Sequence, residues 1–371
     1  MNPLLELRKQ GQSIWLDYIR RDLIQNGELK QLIENDGLRG VTSNPSIFEK
    51  AIDDSTQYDE ALQVLFARNP NIGAREIYDE LSIEDVRSAA DTLRPAYEES
   101  AGADGFVSIE PPPQLTRDTQ ETIKEGQRLW QIVNRPNLMI KVVATTEGIQ
   151  AVEALIAAGI NVNITLMFSL NHYEAVARAY IRGLQRCINP DKIASVASFF
   201  VSRVDSQVDR ALEAVGSPEA LALRGKIAIA NSKRVYQRFR EIFYGEDFSM
   251  LQQKGAHVQR PLWASTSTKD PRYRDVLYVE ELIGPDTVNT LPLATLNAFR
   301  DHGRVRRNTV QENVGDAEDQ LRRLSKLGIV LDTITEKLQN DGLASFASAY
   351  DRVLAALEKK RNGILAARAG T

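Results

Sequence analysis

Hydrophobic and polar positions along the chain alternate between two periods. Short runs with strand character recur at 13–19, 38–46, 105–113, 138–143, 161–168, 195–203, 260–266 and 286–292, and stretches of helical period lie between them. A short leading helix at 4–8 precedes the first strand. The stretch 23–37, with Leu29, Leu32 and Ile33 on one face and Gly37 as a stop, reads as one helix. From 47 to 93 the pattern is helical, with a break at the Asn69-Pro70-Asn71 turn. Further helices are expected at 121–133, 148–159, 171–184 and through a long region to about 244, followed by two amphipathic stretches at 319–338 and 343–361.

Eight strands separated by helices imply parallel strands joined by right-handed crossovers, and eight is the number that closes a (β/α)₈ TIM barrel. The expected class is therefore α/β, with a barrel core over about 12–310, inserted helices, and a helical C-terminal extension over about 311–371. No repeat, low-complexity tract or linker marks a second domain, so 1–371 is read as one unit.

Composition narrows the function. Lys plus Arg numbers 46 against 50 for Asp plus Glu, a formal net charge of −4, which lacks the basic footprint of a nucleic-acid binder. The single cysteine, Cys187, has no internal disulfide partner, and the N-terminal segment has no apolar signal core or membrane-spanning run. A cytoplasmic setting without membrane attachment is the expectation. His172, His257 and His302 are scattered without a ligand pattern, so no metal site is expected. The apolar faces of the terminal helices suit either a monomer or a homodimer.

The chemistry sits in one interrupted run. In LMIKVVATTEG, residues 138–148, Lys141 breaks an apolar strand and shares a face with Met139 and Val143. Burial makes an ammonium costly and favours the neutral amine that attacks carbonyls. Two readings follow: a Schiff-base lysine, or a strand-end lysine whose head reaches water. Other polar residues fall at predicted strand ends: Asp17, Thr42 with Asn44, Glu110, Asn163 with Thr165, Ser198, and Ser265 with Ser267. In a barrel of this kind those ends share one mouth. Two carboxylates, a lysine and several hydroxyl and amide groups could there activate a carbonyl, move protons and orient a polyol, or form a structural ion-pair network.

Two stretches carry a family resemblance. GVTSNPSIF (40–48) resembles the N-terminal signature of transaldolases, and LMIKVVATTEGIQAVEALIAAGINVNITLMFS (138–169) is similar to their lysine signature. The resemblance extends in order from the first strand to SVASFFVSR (195–203), and the added helices resemble the longer subfamily. It implies a transferase of a dihydroxyacetone unit between sugar phosphates in the pentose phosphate pathway, without a cofactor. Expected substrates are sedoheptulose 7-phosphate or fructose 6-phosphate as donor, and glyceraldehyde 3-phosphate or erythrose 4-phosphate as acceptor.

By the same resemblance Lys141 is the Schiff-base lysine, Asp17 and Glu110 are the acid/base carboxylates, and Thr165 holds a catalytic water. Thr42, Asn44 and Asn163 match residues contacting substrate hydroxyls, and Ser198 and Arg203 match part of a phosphate site. Phe200 implies transfer rather than release, since related aldolases that free the three-carbon unit tend to carry tyrosine at the matching position. Phe199 and Ser202 replace a proline and a glycine of the family pattern. On the seventh strand, where compact relatives supply a phosphate-binding arginine, Lys269 is the expected substitute, with Ser267 and Arg272 as alternatives.

Overall fold

The computed structural model describes residues 2–53 and 56–369; Met1, Asp54, Ser55, Gly370 and Thr371, the first three inside or beside expected helical stretches and the last two in the expected extension, lie outside the described residues. Eight strands form a closed parallel barrel in chain order: β1 (Gln12–Leu16), β2 (Gly40–Val41), β3 (Phe106–Ile109), β4 (Leu138–Val143), β5 (Val162–Met167), β6 (Ser195–Phe200), β7 (Arg260–Ala264) and β8 (Thr287–Leu291). β8 pairs with β1 from Gln12↔Thr287 to Leu16↔Leu291, which closes the ring. Six strands, β2 to β6 and β8, are buried at every position because the interior is packed and helices cover the outside.

Glycines in the two signature stretches have local steric reasons. A Cβ on Gly40 would lie 2.4 Å from Cδ2 of Trp15, the large side chain on the neighbouring strand. A Cβ on Gly148 would lie 2.0 Å from the carbonyl oxygen of Val143, where β4 turns sharply into the helix Thr146–Ala157. Thr145 caps that helix by accepting from the Gly148 amide at 2.9 Å. The lysine strand is thus locked to its following helix within a few residues of Lys141.

Two expected helices have different boundaries. The stretch 23–37 is two helices, Arg21–Gln25 and Glu28–Asp36, divided at Gly27, whose φ of +82° no helix accepts. At the C-terminus the break falls at Gly328 (φ +77°), between the helices Val314–Lys326 and Leu331–Ala369. The last helix therefore runs unbroken through Gly342, joining two stretches that periodicity separated. It crosses the mouth of the barrel, packing on the helices Pro45–Asp53, Ala74–Glu99 and Ser202–Val215 and reaching β5. No helix among the described residues is long and apolar enough to cross a membrane.

Candidate active site

The polar residues meet inside the barrel, partly between neighbouring strands and partly, as between β3 and β5 and between β2 and β8, across it through the interior; Asn163, expected at a strand end, is instead the second residue of β5. Ser198 Oγ on β6 donates to Asn163 Oδ1 on β5 at 2.7 Å, and Asn163 Nδ2 donates to Ser108 Oγ on β3 at 3.0 Å. Thr42, just past β2, bonds Asp17 Oδ1 at 2.9 Å and lies 2.9 Å from the Thr290 hydroxyl on β8. All of these hydroxyl and amide groups are buried. They form two hydrogen-bonded groups, Ser198–Asn163–Ser108 and Asp17–Thr42–Thr290, whose members satisfy one another and hold each other in place.

Lys141 is 6% exposed, and Asn163 is its register partner on β5. Its Nζ lies 2.5 Å from Glu110 Oε1 and donates to the Ser43 carbonyl at 2.9 Å. The Phe346 ring, from the last helix, sits 5.8 Å from the same nitrogen. Glu110 follows β3 directly, and the three prolines after it end the strand. Beside this pair a cavity of about 20 Å³ is lined by Pro111, Pro113, Val142, Leu343 and Phe346, room for about one water molecule.

Burial governs the electrostatics. It raises Glu110 above the usual carboxylate range, Lys141 opposes the rise, and Asp17 adds to it. Asp17 is likewise pushed up by burial, with Lys141, the Thr42 hydrogen bond, Arg203 and Lys269 pulling the other way. Both carboxyls thus hold protons more readily than an exposed acid does, which suits groups that must give and take them. The hydroxyl of Thr165 is buried without a protein hydrogen-bond partner among the described residues.

A second patch of positive charge faces Asp17. Arg203, at the start of the helix after β6, places its guanidinium 5.6 Å from the ring of Phe200. Burial lowers its pKa and Asp17 opposes this. Lys269 is solvent-exposed as a residue, yet partial burial of its head, followed by the charge of Arg203, depresses its pKa. It donates to Ser267 Oγ at 2.7 Å. Arg272 instead pairs with Asp270 and, at 3.0 Å, with Glu213. Of the three strand-seven candidates, Lys269 and Ser267 join the patch and Arg272 is occupied elsewhere. Phe200 is 8% exposed and tilts against Phe168 at 5.2 Å. Asn44 accepts from the Ile47 amide at 3.1 Å, holding the turn that brings Ser43 to Lys141.

Some participants escaped sequence reasoning. Thr290 falls at a strand end in DTVNTLP, and an inventory of hydroxyls at every strand end would have included it. Ser43 contributes a main-chain carbonyl, which no side-chain pattern reveals. Gln339 and Phe346 come from a helix that sequence periodicity does not dock anywhere. Among the described residues no group of three or more histidine, cysteine, aspartate or glutamate side chains is arranged to hold a metal ion.

Comparison with known proteins places the whole chain. A sequence model of the Transaldolase/Fructose-6-phosphate aldolase family matches residues 14–357. The chain is 44% identical to a transaldolase of Frankia alni over 97% of both chains. It is 45% identical to a transaldolase 2 of a Nostoc species over 97% of this chain and 98% of that one. A transaldolase 1 of Streptomyces coelicolor is 46% identical over 96% of this chain and 94% of its own length. A match running from within β1 into the last helix, with relatives aligned almost end to end, has one consequence: the chain belongs to the transaldolase/fructose-6-phosphate aldolase family, as an enzyme of its transaldolase branch.

Proposed function

We propose that this enzyme transfers a dihydroxyacetone unit between sugar phosphates through a Schiff base on Lys141. Sedoheptulose 7-phosphate and fructose 6-phosphate are the donors, and glyceraldehyde 3-phosphate and erythrose 4-phosphate the acceptors, as in the pentose phosphate pathway. The observation that carries this reading is the buried Lys141–Glu110 pair at 2.5 Å, with Asp17 electrostatically coupled to both.

The reaction begins when Lys141 passes a proton to Glu110 and its free amine attacks the C2 carbonyl of the ketose. The resulting carbinolamine loses its hydroxyl as water, with Glu110 returning the proton through a water molecule held at Thr165. This leaves a protonated imine. Asp17, ionised, takes the C4 hydroxyl proton; the C3–C4 bond breaks, and its electron pair moves through C2 onto the nitrogen as an enamine. The aldose phosphate departs with its new carbonyl. A second aldose phosphate then accepts the enamine carbon, Asp17 returns the proton to the new C4 oxygen, and water releases the product ketose. Phe200 supports transfer over release, because a phenyl ring has no hydroxyl with which to protonate the waiting enamine.

The decisive test is borohydride reduction with fructose 6-phosphate and no acceptor, followed by peptide mass spectrometry. A dihydroxyacetone-derived adduct on the peptide containing Lys141 is expected. Recovery of unmodified protein, or an adduct on another lysine, would sink the mechanism at its first step. Free dihydroxyacetone released at the rate of transfer would make the enzyme an aldolase instead.

Two further outcomes probe the surroundings. Arg203→Ala is expected to raise KM for sugar phosphates by about 10- to 100-fold, the worth of a charge-assisted hydrogen bond, and Lys269→Ala by less. Unphosphorylated fructose should be turned over with unchanged kcat/KM; an equal loss on both donors would place these residues outside phosphate binding. The pH profile addresses Asp17. Because Asp17 acts ionised and its pKa lies above the ordinary carboxylate value, kcat falls on the acid side at a higher pH than a solvated aspartate would dictate. The Thr42 hydrogen bond favours the ionised form, so Thr42→Val is expected to move that acid limb further up in pH. An acid limb that stays put, or moves down, contradicts the assignment.

A further inference from the structure

The last helix presents one stripe to the barrel mouth: Gln339, Gly342, Leu343 and Phe346, spaced at three, four and seven residues. Gln339 is only 8% exposed, and its Nε2 donates to two main-chain carbonyls at once, Ala144 at 3.0 Å and Leu166 at 3.0 Å. These carbonyls belong to the ends of β4 and β5, the strands carrying Lys141 and Thr165. Between Ile164 and Met167 the pairing of β5 with β6 slips, and Leu166 sits within the slip at φ +57°. A leucine in the left-handed region is strained by roughly 1–3 kcal/mol and persists only where its surroundings hold it. Two contacts from the last helix do so. Gln339 takes the Leu166 carbonyl, and Gly342 lets the helix approach so closely that a Cβ there would lie 2.9 Å from Leu166 Cδ2.

The strained residue follows Thr165 immediately, and the Thr165 carbonyl accepts from the Ala144 amide at 2.9 Å. Gln339 therefore clamps a three-point junction: the Ala144 carbonyl, the Leu166 carbonyl and the peptide between them and Thr165. Releasing it lets Leu166 relax toward ordinary strand geometry, and because side chains alternate along a strand, a change at the slip re-aims the Thr165 hydroxyl. We propose that Gln339 is a positioning residue for the reaction, holding the bulged end of β5 against β4 so that the Thr165 hydroxyl keeps its aim into the site. This rests on the reading of Thr165 as the holder of the water that serves Glu110. The C-terminal helix then belongs to the catalytic apparatus of this chain rather than being only an outer layer.

The test is a double-mutant cycle of Gln339→Met and Thr165→Val in the full-length enzyme, with thermal melts on each variant. Gln339→Met should lower kcat about 10- to 100-fold, since small misplacements near the chemistry cost that much, with KM for fructose 6-phosphate within about twofold. In the Thr165→Val background the same change should cost no more than about twofold in kcat, because the hydroxyl it aims is gone. Gln339→Lys, which keeps a donor long enough for both carbonyls, should hold kcat within about threefold of the parent. Losses that multiply across the cycle, a Gln339→Met enzyme with parental kcat, or a Gln339→Lys enzyme as slow as Gln339→Met would each overturn the proposal. Thr165→Val turning over at the parental rate would instead remove the role of Thr165 itself, whatever Gln339 does. If Gln339→Met melts below the assay temperature, Gln339→Glu, equal in size and without donors when ionised, is read in the same cycle.

Discussion

Lys141→Met is expected to lower transfer activity on the order of 10⁴-fold or more, the scale on which losing a covalent nucleophile falls. It should also abolish borohydride trapping by fructose 6-phosphate. The same change carries a stability signature. Lys141 is the partner of Glu110 at 2.5 Å in a buried setting, and removing one member of a buried pair leaves the other charge uncompensated, at a cost of roughly 3–5 kcal/mol. Glu110 already has a pKa raised by burial and held back by Lys141, so the variant raises it further. A carboxyl whose folded pKa lies above its unfolded value binds more protons in the native state, and stability then falls as pH rises between the two values. The deficit of Lys141→Met should accordingly be small in acid and grow toward neutral pH, by calorimetry. Adding Glu110→Gln should recover much of the lost Tm, since a neutral amide needs no cation, while activity stays absent. A Lys141→Met enzyme within tenfold of the parental rate ends the Schiff-base reading, and a double variant no more stable than the single one ends the ion-pair account.

The barrel was legible because its determinants are local. Each strand is a short, largely apolar run bounded by turn residues, and eight of them separated by helical period leave few topologies. The strand-end residues were legible for the same reason: once a strand is placed, the residue closing it is placed at the mouth, as with Asp17 after Leu16 and Glu110 after Ile109. What stayed hidden depends on long-range docking. Gly342 falls in the gap between the expected stretches 319–338 and 343–361, whereas in the fold it lies inside a continuous helix and its missing side chain admits Leu166. The energy that keeps it helical comes from packing on β5, more than 170 residues away, and no local propensity carries that information. Gln339 was invisible in the same way, since its partners are two main-chain carbonyls, one just past the end of β4 and one in the irregular end of β5. The pairing of Arg272 with Glu213 and Asp270 was likewise hidden, because it joins the loop after β7 to a helix about 60 residues earlier.

Asp17→Asn separates the two halves of the proposed reaction. Imine formation uses Lys141 and Glu110, whereas breaking the C3–C4 bond needs a base at the C4 hydroxyl. An asparagine at position 17 still accepts the Thr42 hydroxyl but cannot take a proton, so the cleavage step should slow by about 10²- to 10⁴-fold, the contribution of a positioned general base. Folding should be preserved or improved, because burial works against the Asp17 carboxylate and a neutral amide avoids that penalty. The variant is thus expected to accumulate the imine of the intact ketose. Borohydride trapping with fructose 6-phosphate should leave a hexose-phosphate adduct on Lys141, where the parental enzyme yields the three-carbon one, and no glyceraldehyde 3-phosphate should appear in the first turnover. A three-carbon adduct from Asp17→Asn means that another group removes the C4 proton. No adduct at all means that Asp17 is required before the imine forms, which moves it from the cleavage step to the dehydration step beside Glu110. The two masses distinguish these outcomes in a single experiment, because the bond that Asp17 is proposed to break is the one that sets the size of the adduct.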